Sequence, residues 1–362
     1  MTQKLLEISQ KSFAAYCSRT RCSPDKRLKE LLLISKQKLL IVLNGINLQE
    51  IPDIDFRNKA SRILETNDFF ELRSIEFESR RDDYCQKLKQ FVPELPIDYG
   101  YIKNLSNELG IIKTSRKEYD LVVNLVSAVP IVPVWEMKFK ARMVLFKPKK
   151  QLLNPLYIRI DELLLSACDS FLHTVVPLAL FSSESNETES SEKFMSELYN
   201  CFELILGQSR MFKGSSPATS KIKYTILKMV EGALQAVWFH ELGHLLQGHL
   251  IEPSSHKIEY DADSFAFKIL SREEQNMTLD ILSILGGLTP FIIMDIIQLV
   301  NESVPSDTHP SAKERISHIL KIIQVENPLA FKPSLKYLQS VAKVCNPTLS
   351  SRLNISLEYS FK

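Results

Sequence analysis

His240, Glu241 and His244 stand in an H-E-x-x-H pattern within the run Trp238-Phe239-His240-Glu241-Leu242-Gly243-His244-Leu245-Leu246. Two histidines four apart lie one turn from each other on the same helix face, so their imidazoles can converge on one metal ion at about 2.0 to 2.1 Å. Glu241, one position round the helix, cannot join that convergence but can reach a water held by the metal. Zinc lowers the pKa of such a water to about 7, and a neighbouring carboxylate can take its proton as the water attacks a polarised carbonyl. Glu241 is therefore the candidate general base. Three fixed residues remain a weak pattern by themselves, since a pair of partnered core histidines would match it equally well.

Catalytic zinc usually has three protein ligands and an open position. Glu259, in the helically spaced segment Glu259-Tyr260-Asp261-Ala262-Asp263-Ser264-Phe265-Ala266, is the candidate third ligand. Asp263, one turn further, is placed to accept the free N–H of a ligand histidine, orienting the ring and raising its basicity. Two other histidines compete. The metzincin pattern needs Gly three residues and His six residues after the second ligand, where this chain has Gln247 and Leu250. That subclass is disfavoured, and His249 is expected to point from the helix end, where a cation suits the helix dipole. His256, after a Pro-Ser-Ser turn, is an alternative to Glu259. Nucleophile-elbow, P-loop and dinucleotide-binding motifs do not occur in the sequence, which leaves zinc hydrolysis without a rival chemistry.

The positioning elements are legible in outline. Ile222, Ile226, Val230, Ala233, Leu234 and Val237 cover so much of a helical circumference that the segment from Ile222 to Leu250 should be a buried helix. Before it lies a loop, Gln208 to Ser220. The serine-rich Ser182 to Lys193 is too polar to pack and is expected to be a mobile surface loop, with gating sought nearby. Val, Ile and aromatic enrichment predicts strands within Leu121 to Ala128, Ile131 to Phe139, Ala141 to Phe146 and Leu156 to Ile160, the last after an Asn154-Pro155 turn. Asp161 can cap the helix that follows. Residues 1 to 120 read as helical, with a charged, solvent-facing helix around Phe69 to Phe91. The expected class is α+β and mainly helical: a helical N-terminal region of unknown role over 1–120, then a catalytic domain over 121–362 with a small sheet, antiparallel in part, beside the buried H-E-x-x-H helix.

The 362 residues, 44% hydrophobic with 10 Gly, can bury a large core and are neither fibrous nor disordered. A formal charge of +2 demands neither nucleic acid nor an anionic membrane, and basic runs such as Lys147 to Lys150 read as solvated faces. Six cysteines without C-x-x-C or close pairing fit a reducing cytosol, and Met1 to Ser18 lacks the apolar core of a secretory signal, so a cytoplasmic location is expected. The stretch Ile281 to Met294, interrupted by Gly286, Gly287 and Pro290, is short for a bilayer span of about 20 residues and reads as buried core helices.

On these motifs the chain resembles the gluzincin metallopeptidases: H-E-x-x-H is followed by E-x-x-x-D with Ala266 three residues on, much like the CAAX-prenyl proteases and their bacterial heat-shock relatives. Asp307-Thr308-His309-Pro310-Ser311-Ala312-Lys313-Glu314-Arg315-Ile316 is similar to the T-H-P-x-x-x-x-R-I element that closes the catalytic domain in that family. The resemblance covers about Lys221 to Leu320. It implies a zincin-like domain in which His240, His244 and Glu259 bind one Zn2+ and Glu241 is the base. It also implies that His309 lies near the metal, as an oxyanion stabiliser or an inhibitory extra ligand. Arg315 would anchor its loop. The chain departs from the membrane members in lacking convincing spans, so a stable membrane span is not expected and any membrane contact would be peripheral. It also resembles the Lit-type phage-exclusion peptidases, gluzincin-like enzymes that cleave a host translation factor when triggered.

The expected function is zinc-dependent hydrolysis of peptide bonds in an intracellular protein or peptide substrate, regulated or linked to phage defence, with a sheet edge in the Ile131 to Phe146 region holding extended substrate. Nucleic acid is not an expected partner. The alternatives are a zinc-containing sensor or binding protein whose peptidase site is autoinhibited or inactive, and a metal-free helical interaction protein.

Overall fold

A computed structural model describes residues 3–43, 49, 54–66, 68–109, 117–136, 138–145, 156–181, 191–206, 220–251, 255–272, 277–302 and 309–360. The chain is α+β and mainly helical, with one small mixed sheet among the described residues. It divides into two compact units, the first made of residues 1–92, 103–137 and 142–162 and the second of 93–102, 138–141 and 163–362. This spatial division and the compositional change near residue 121 are different features: the strands group with the helices that precede them.

The helices before the sheet are α1 (Gln3–Thr20), α2 (Pro24–Leu43), α3 (Ile54–Thr66), α4 (Phe69–Phe91), α5 (Tyr99–Leu109) and α6 (Glu118–Ser127). The strands are β1 (Ile131–Val134), β2 (Ala141–Leu145) and β3 (Leu156–Asp161), in the order β1-β3-β2. β1 and β3 run parallel, with Ile131 beside Ile158 and Val134 beside Asp161. The predicted strand at Leu121 to Ala128 is instead α6: Val122, Leu125 and Val126 are all buried, a helical spacing that β-branched composition concealed. Asp161 stands immediately before the helix Glu162–Phe181, in the position expected of its cap. It closes β3, and its carboxylate accepts the Glu136 backbone N–H at 2.8 Å.

The charged helix α4 is buried, contrary to the solvent-facing expectation. Arg73 donates to Glu76 at 2.6 Å and to Glu162 at 2.8 Å, and Arg80 donates to Glu76 at 3.2 Å. Burial opposes the Arg73 charge, but Glu162 and Glu76 outweigh it and hold the guanidinium firmly protonated. Beside them Trp135 gathers Phe13, Phe69 and Phe70 at centroid distances of 5.3 to 5.6 Å.

The later helices are α7 (Glu162–Phe181), α8 (Ser191–Ile205), α9 (Ser220–Leu246), α10 (His256–Ser271), α11 (Met277–Val300), α12 (Ala312–Glu326) and α13 (Pro328–Leu353). The predicted loop Ser182 to Lys193 lies outside the described residues as far as 190, and its last three residues open α8. The expected gating there, the loop at 208–219, the Asn154-Pro155 turn and the run Lys147 to Lys150 likewise fall outside the described residues.

α9 is the buried helix the sequence predicts, with Ile226, Met229, Ala233, Ala236, Trp238, Phe239, Leu242, Leu245 and Leu246 all buried. It packs on α10 and α11. α11 runs unbroken through Gly286, Gly287 and Pro290, and over Ile281–Val300 it is long and apolar enough to cross a membrane by length and composition, as is Glu162–Leu180. Some 67% of the Ile281–Val300 window is nevertheless buried within the protein, among α9, α10, α12 and α13.

Glycine makes the α9–α11 contact. A Cβ on Gly232 would overlap the Ser283 carbonyl and lie 2.6 Å from Ser283 Cα, and one on Gly286 would meet the Met229 backbone at the same distance. Each helical glycine costs about 1 kcal/mol against alanine in propensity, which this backbone-to-backbone approach offsets by allowing dense packing. Gly286→Ala should therefore force the helices apart and lower stability by about 1–3 kcal/mol or more, read as a lower urea midpoint. An unchanged midpoint would show that the helices do not meet so closely.

Candidate active site

The fully buried carboxylate of Asp263 organises the site. His240 Nδ1 lies 2.9 Å from Asp263 Oδ1, while Arg315 donates from Nε to Oδ2 at 2.7 Å and from Nη2 to Oδ1 at 2.6 Å. The Arg315 pair is bidentate, the geometry in which guanidinium and carboxylate bind most strongly. Arg315 Nη1 also stands 3.3 Å from Glu259 Oε2. Burial alone would raise the Asp263 pKa, but the charge and hydrogen bonds of Arg315, followed by those of His240, bring it down to about 2. The same pairing keeps Arg315 charged against its own burial.

With Asp263 ionised, His240 Nδ1 carries the hydrogen and donates it, which leaves Nε2 with its lone pair directed outward. Arg315 Nη2 lies 3.4 Å from the same Nδ1. Both are donors in that arrangement, so they share Asp263 Oδ1 and do not bond each other. Burial lowers the His240 pKa, yet the hydrogen bond and charge of Asp263 outweigh it and the net shift is upward. His244 goes the other way: burial, then the neighbouring imidazoles of His240 and His249, bring it down to about 2. It is a neutral ring.

His240 Nε2 and His244 Nε2 are 3.1 Å apart, and the Glu259 carboxylate oxygens stand 3.6 Å from the first and 3.8 Å from the second. Donor atoms of the three residues all fall within 4.8 Å of one another. Around a tetrahedral zinc with bonds of about 2.0–2.1 Å, neighbouring donors are separated by about 3.3 Å, so this set fits such an ion. Charge points the same way. Glu241, Glu259 and Asp263, all buried, act on the Arg315 guanidinium, and a divalent cation would add positive charge to this group of carboxylates. The 3.1 Å between the two Nε2 atoms is the length of a hydrogen bond when His244 carries its hydrogen there, and is also close enough for both lone pairs to bind one ion when it does not.

Local sequence explains the convergence. Gly243, inside the H-E-x-x-H run, lets α10 approach: a Cβ there would lie 3.1 Å from both Ala262 Cα and Phe265 Cβ. α10 starts at the N-cap Ser255, whose side chain accepts from Ile258 N, which places Glu259 in its first turn. α12 starts at Ser311 in a capping box with Glu314, whose carboxylate accepts the Ser311 N–H at 2.9 Å, so that Arg315 enters the interior in the next position. Ser264 Oγ donates to the Tyr260 carbonyl at 2.7 Å and lies 2.8 Å from His318 Nε2, a contact tying α10 to α12.

Of the sequence-predicted site residues, His240, His244 and Glu259 come together, Asp263 stands behind His240, and Glu241 is buried close enough to act on Arg315. His309 is exposed ahead of α12 and is not one of the three clustered donors, and neither is His256. Asp307 and Thr308 lie outside the described residues. Arg315, read from sequence as a loop anchor, is part of the site itself. Its signal was an arginine in line with the buried stripe Ala312, Ile316, Ile319 and Ile323. His249 does not point away from the helix end: its Nδ1 lies 3.3 Å from His244 Nδ1.

Arg315→Met should leave Asp263 and Glu259 as uncompensated buried charges and cost about 3–5 kcal/mol. Arg315→Lys, which restores charge without the fork, should recover part of that loss. Urea unfolding of the three proteins, with and without chelator, measures both effects, and a Met variant as stable as the parent would contradict the clamp.

Residues 192–331 match the model of the Peptidase U49 family. A search of curated proteins and one of solved structures each return no match. The matched segment runs from α8 into the start of α13 and contains His240, Glu241, His244, Glu259, Asp263 and Arg315. Over the part that holds the clustered donors, the chain is similar to a peptidase family, and this supports peptide-bond hydrolysis as its activity.

Proposed function

We propose that the chain is a zinc-dependent endopeptidase of gluzincin type, with His240, His244 and Glu259 holding one ion and Glu241 as general base. The observation that carries the reading is the convergence of three donor side chains, at separations suited to a tetrahedral ion, inside a segment similar to a peptidase family. When bound, zinc would supply a fixed positive charge that polarises the scissile carbonyl and acidifies water.

The remaining steps belong to the chain's own residues. Glu241 takes the proton of the attacking water and returns it to the departing amine, the two halves of general base and general acid work. Asp263 fixes the His240 tautomer so that Nε2 is the free atom, and Arg315 keeps Asp263 ionised and Glu259 in place. His309, exposed at the entry to α12, is the proposed oxyanion donor or, in an inhibited state, an extra ligand. The substrate is an intracellular protein, and six cysteines without C-x-x-C or close pairing in the sequence suit a cytoplasmic setting. The resemblance to Lit-type phage-exclusion peptidases adds that cleavage is triggered and linked to phage defence.

Glu241→Gln keeps the size and a hydrogen-bonding oxygen but removes the base. Cleavage, followed as new protein termini in cells expressing the chain, should fall by about 10²–10⁴-fold while one zinc per chain remains on elemental analysis. Full cleavage by the Gln variant would overturn the mechanism, and absence of zinc from the parent protein would overturn the metal assignment. Chelation of the parent protein should abolish cleavage and Zn2+ should restore it.

A further inference from the structure

The two ligand histidines are held differently, and the difference exposes a role for His249. His240 has an ionised carboxylate behind it. A ligand imidazole commonly donates its second ring N–H to a carboxylate, a carbonyl or water. At His244 the group facing Nδ1 is another imidazole: His249 Nδ1, 3.3 Å away, with ring centroids 5.4 Å apart and planes inclined at 67°.

The backbone makes this contact. α9 ends at Leu246, and Gly248 follows with φ of +79°, a left-handed turn that glycine adopts without steric cost. That turn reverses the chain, so His249, which a continued helix would carry past the site, is folded back onto His244. It is braced from outside. Asp98 N–H donates to the Leu246 carbonyl at 2.9 Å, and a Cβ on Gly248 would stand 3.4 Å from the Tyr101 ring and 3.5 Å from Asp98 Oδ2. His249 itself is half-buried in the short 3-10 turn His249–Ile251.

We infer that His249 is a positioning residue, whose Nδ1 accepts the Nδ1–H of His244 and so fixes the tautomer and ring orientation that present His244 Nε2 to a metal. The inference rests on the metal reading proposed above. A neutral His244 that binds through Nε2 must carry its hydrogen on Nδ1. The atom facing it must then be an acceptor, which places the His249 hydrogen on Nε2. An imidazole lone pair orients its partner without adding negative charge to a cluster that already holds three carboxylates, which a second aspartate in this position would do.

The test compares zinc affinity, by competition with a chromophoric chelator, for the full-length parent, His244→Ala, His249→Ala, His249→Phe and His249→Asn. Asparagine puts an amide oxygen where Nδ1 stands, whereas phenylalanine keeps the ring without the acceptor. His249→Ala and His249→Phe should both bind zinc about 10–100-fold more weakly, and His249→Asn should recover most of that loss. Parent affinity in the Ala and Phe variants, or no recovery in the Asn variant, would overturn the role of His249 while leaving the metal reading intact. Equal zinc uptake by the parent and His244→Ala would instead overturn the metal reading. Nitrogen-15 histidine spectra of the zinc-loaded parent give an answer that needs no variant: hydrogens on His244 Nδ1 and His249 Nε2 are expected, and the opposite tautomer at His249 would refute the hydrogen bond.

Discussion

The second unit is organised around one carboxylate that has no access to water. Asp263 is fully buried, and a lone carboxylate in that position would be neutralised or would destabilise the fold. It stays ionised because α12 supplies a bidentate guanidinium and α9 supplies an imidazole N–H. Three helices are thereby fixed by one side chain. Arg315 also lies over the Phe291 ring of α11 at 4.8 Å, so the same cation engages a fourth helix. Buried polar groups carry energy in this way only when every partner is present, and that requirement gives the helices a single arrangement.

Helix separation is the second constraint. His240 and His244 converge through spacing along α9, but Glu259 belongs to another helix and reaches them only if α10 comes close. Gly243 and Ala262 provide that approach on one side of α9, and Gly232 with Gly286 provides it on the side of α11. The glycines weaken the helices locally and strengthen their packing, an exchange that only a buried helix can sustain. The result is a donor set carried on rigid elements whose rotamers are locked by neighbours, the condition for holding a reacting group in register.

The first unit uses buried charge for a different end. Arg73, Glu76, Arg80 and Glu162 link α4 to the residue that follows β3. None of these groups joins a cluster of metal-binding donors among the described residues. Replacing such a network by apolar residues is often neutral for stability. Its effect here is to specify which turn of α4 faces Glu162: the Arg73–Glu76 and Arg80–Glu76 pairs lie within α4 and turn with it, so a rotation of the helix would break the Arg73–Glu162 pair.

The sequence by itself determined the mainly helical α+β class, the burial of α9 and the pairing of His240 with His244 and of Glu259 with Asp263, because each follows from spacing along one element, whereas bringing the two pairs together depends on the approach of α10. His240 and His244 are four apart, Glu259 and Asp263 are four apart, and helical geometry places each pair on one face. The tertiary structure decided what depends on partners remote in the chain. α4 reads as a solvated helix until Glu162 is set against Arg73, 89 residues away, and α6 reads as a strand because β-branched residues suit either conformation. Arg315 reads as a loop anchor until Asp263 is found 52 residues before it. His249 reads as a residue leaving the site because periodicity continues a helix forward, whereas the left-handed turn at Gly248 folds the chain back. Charge pairing and chain reversal are properties of the packed molecule, so one-dimensional spacing carries little trace of them.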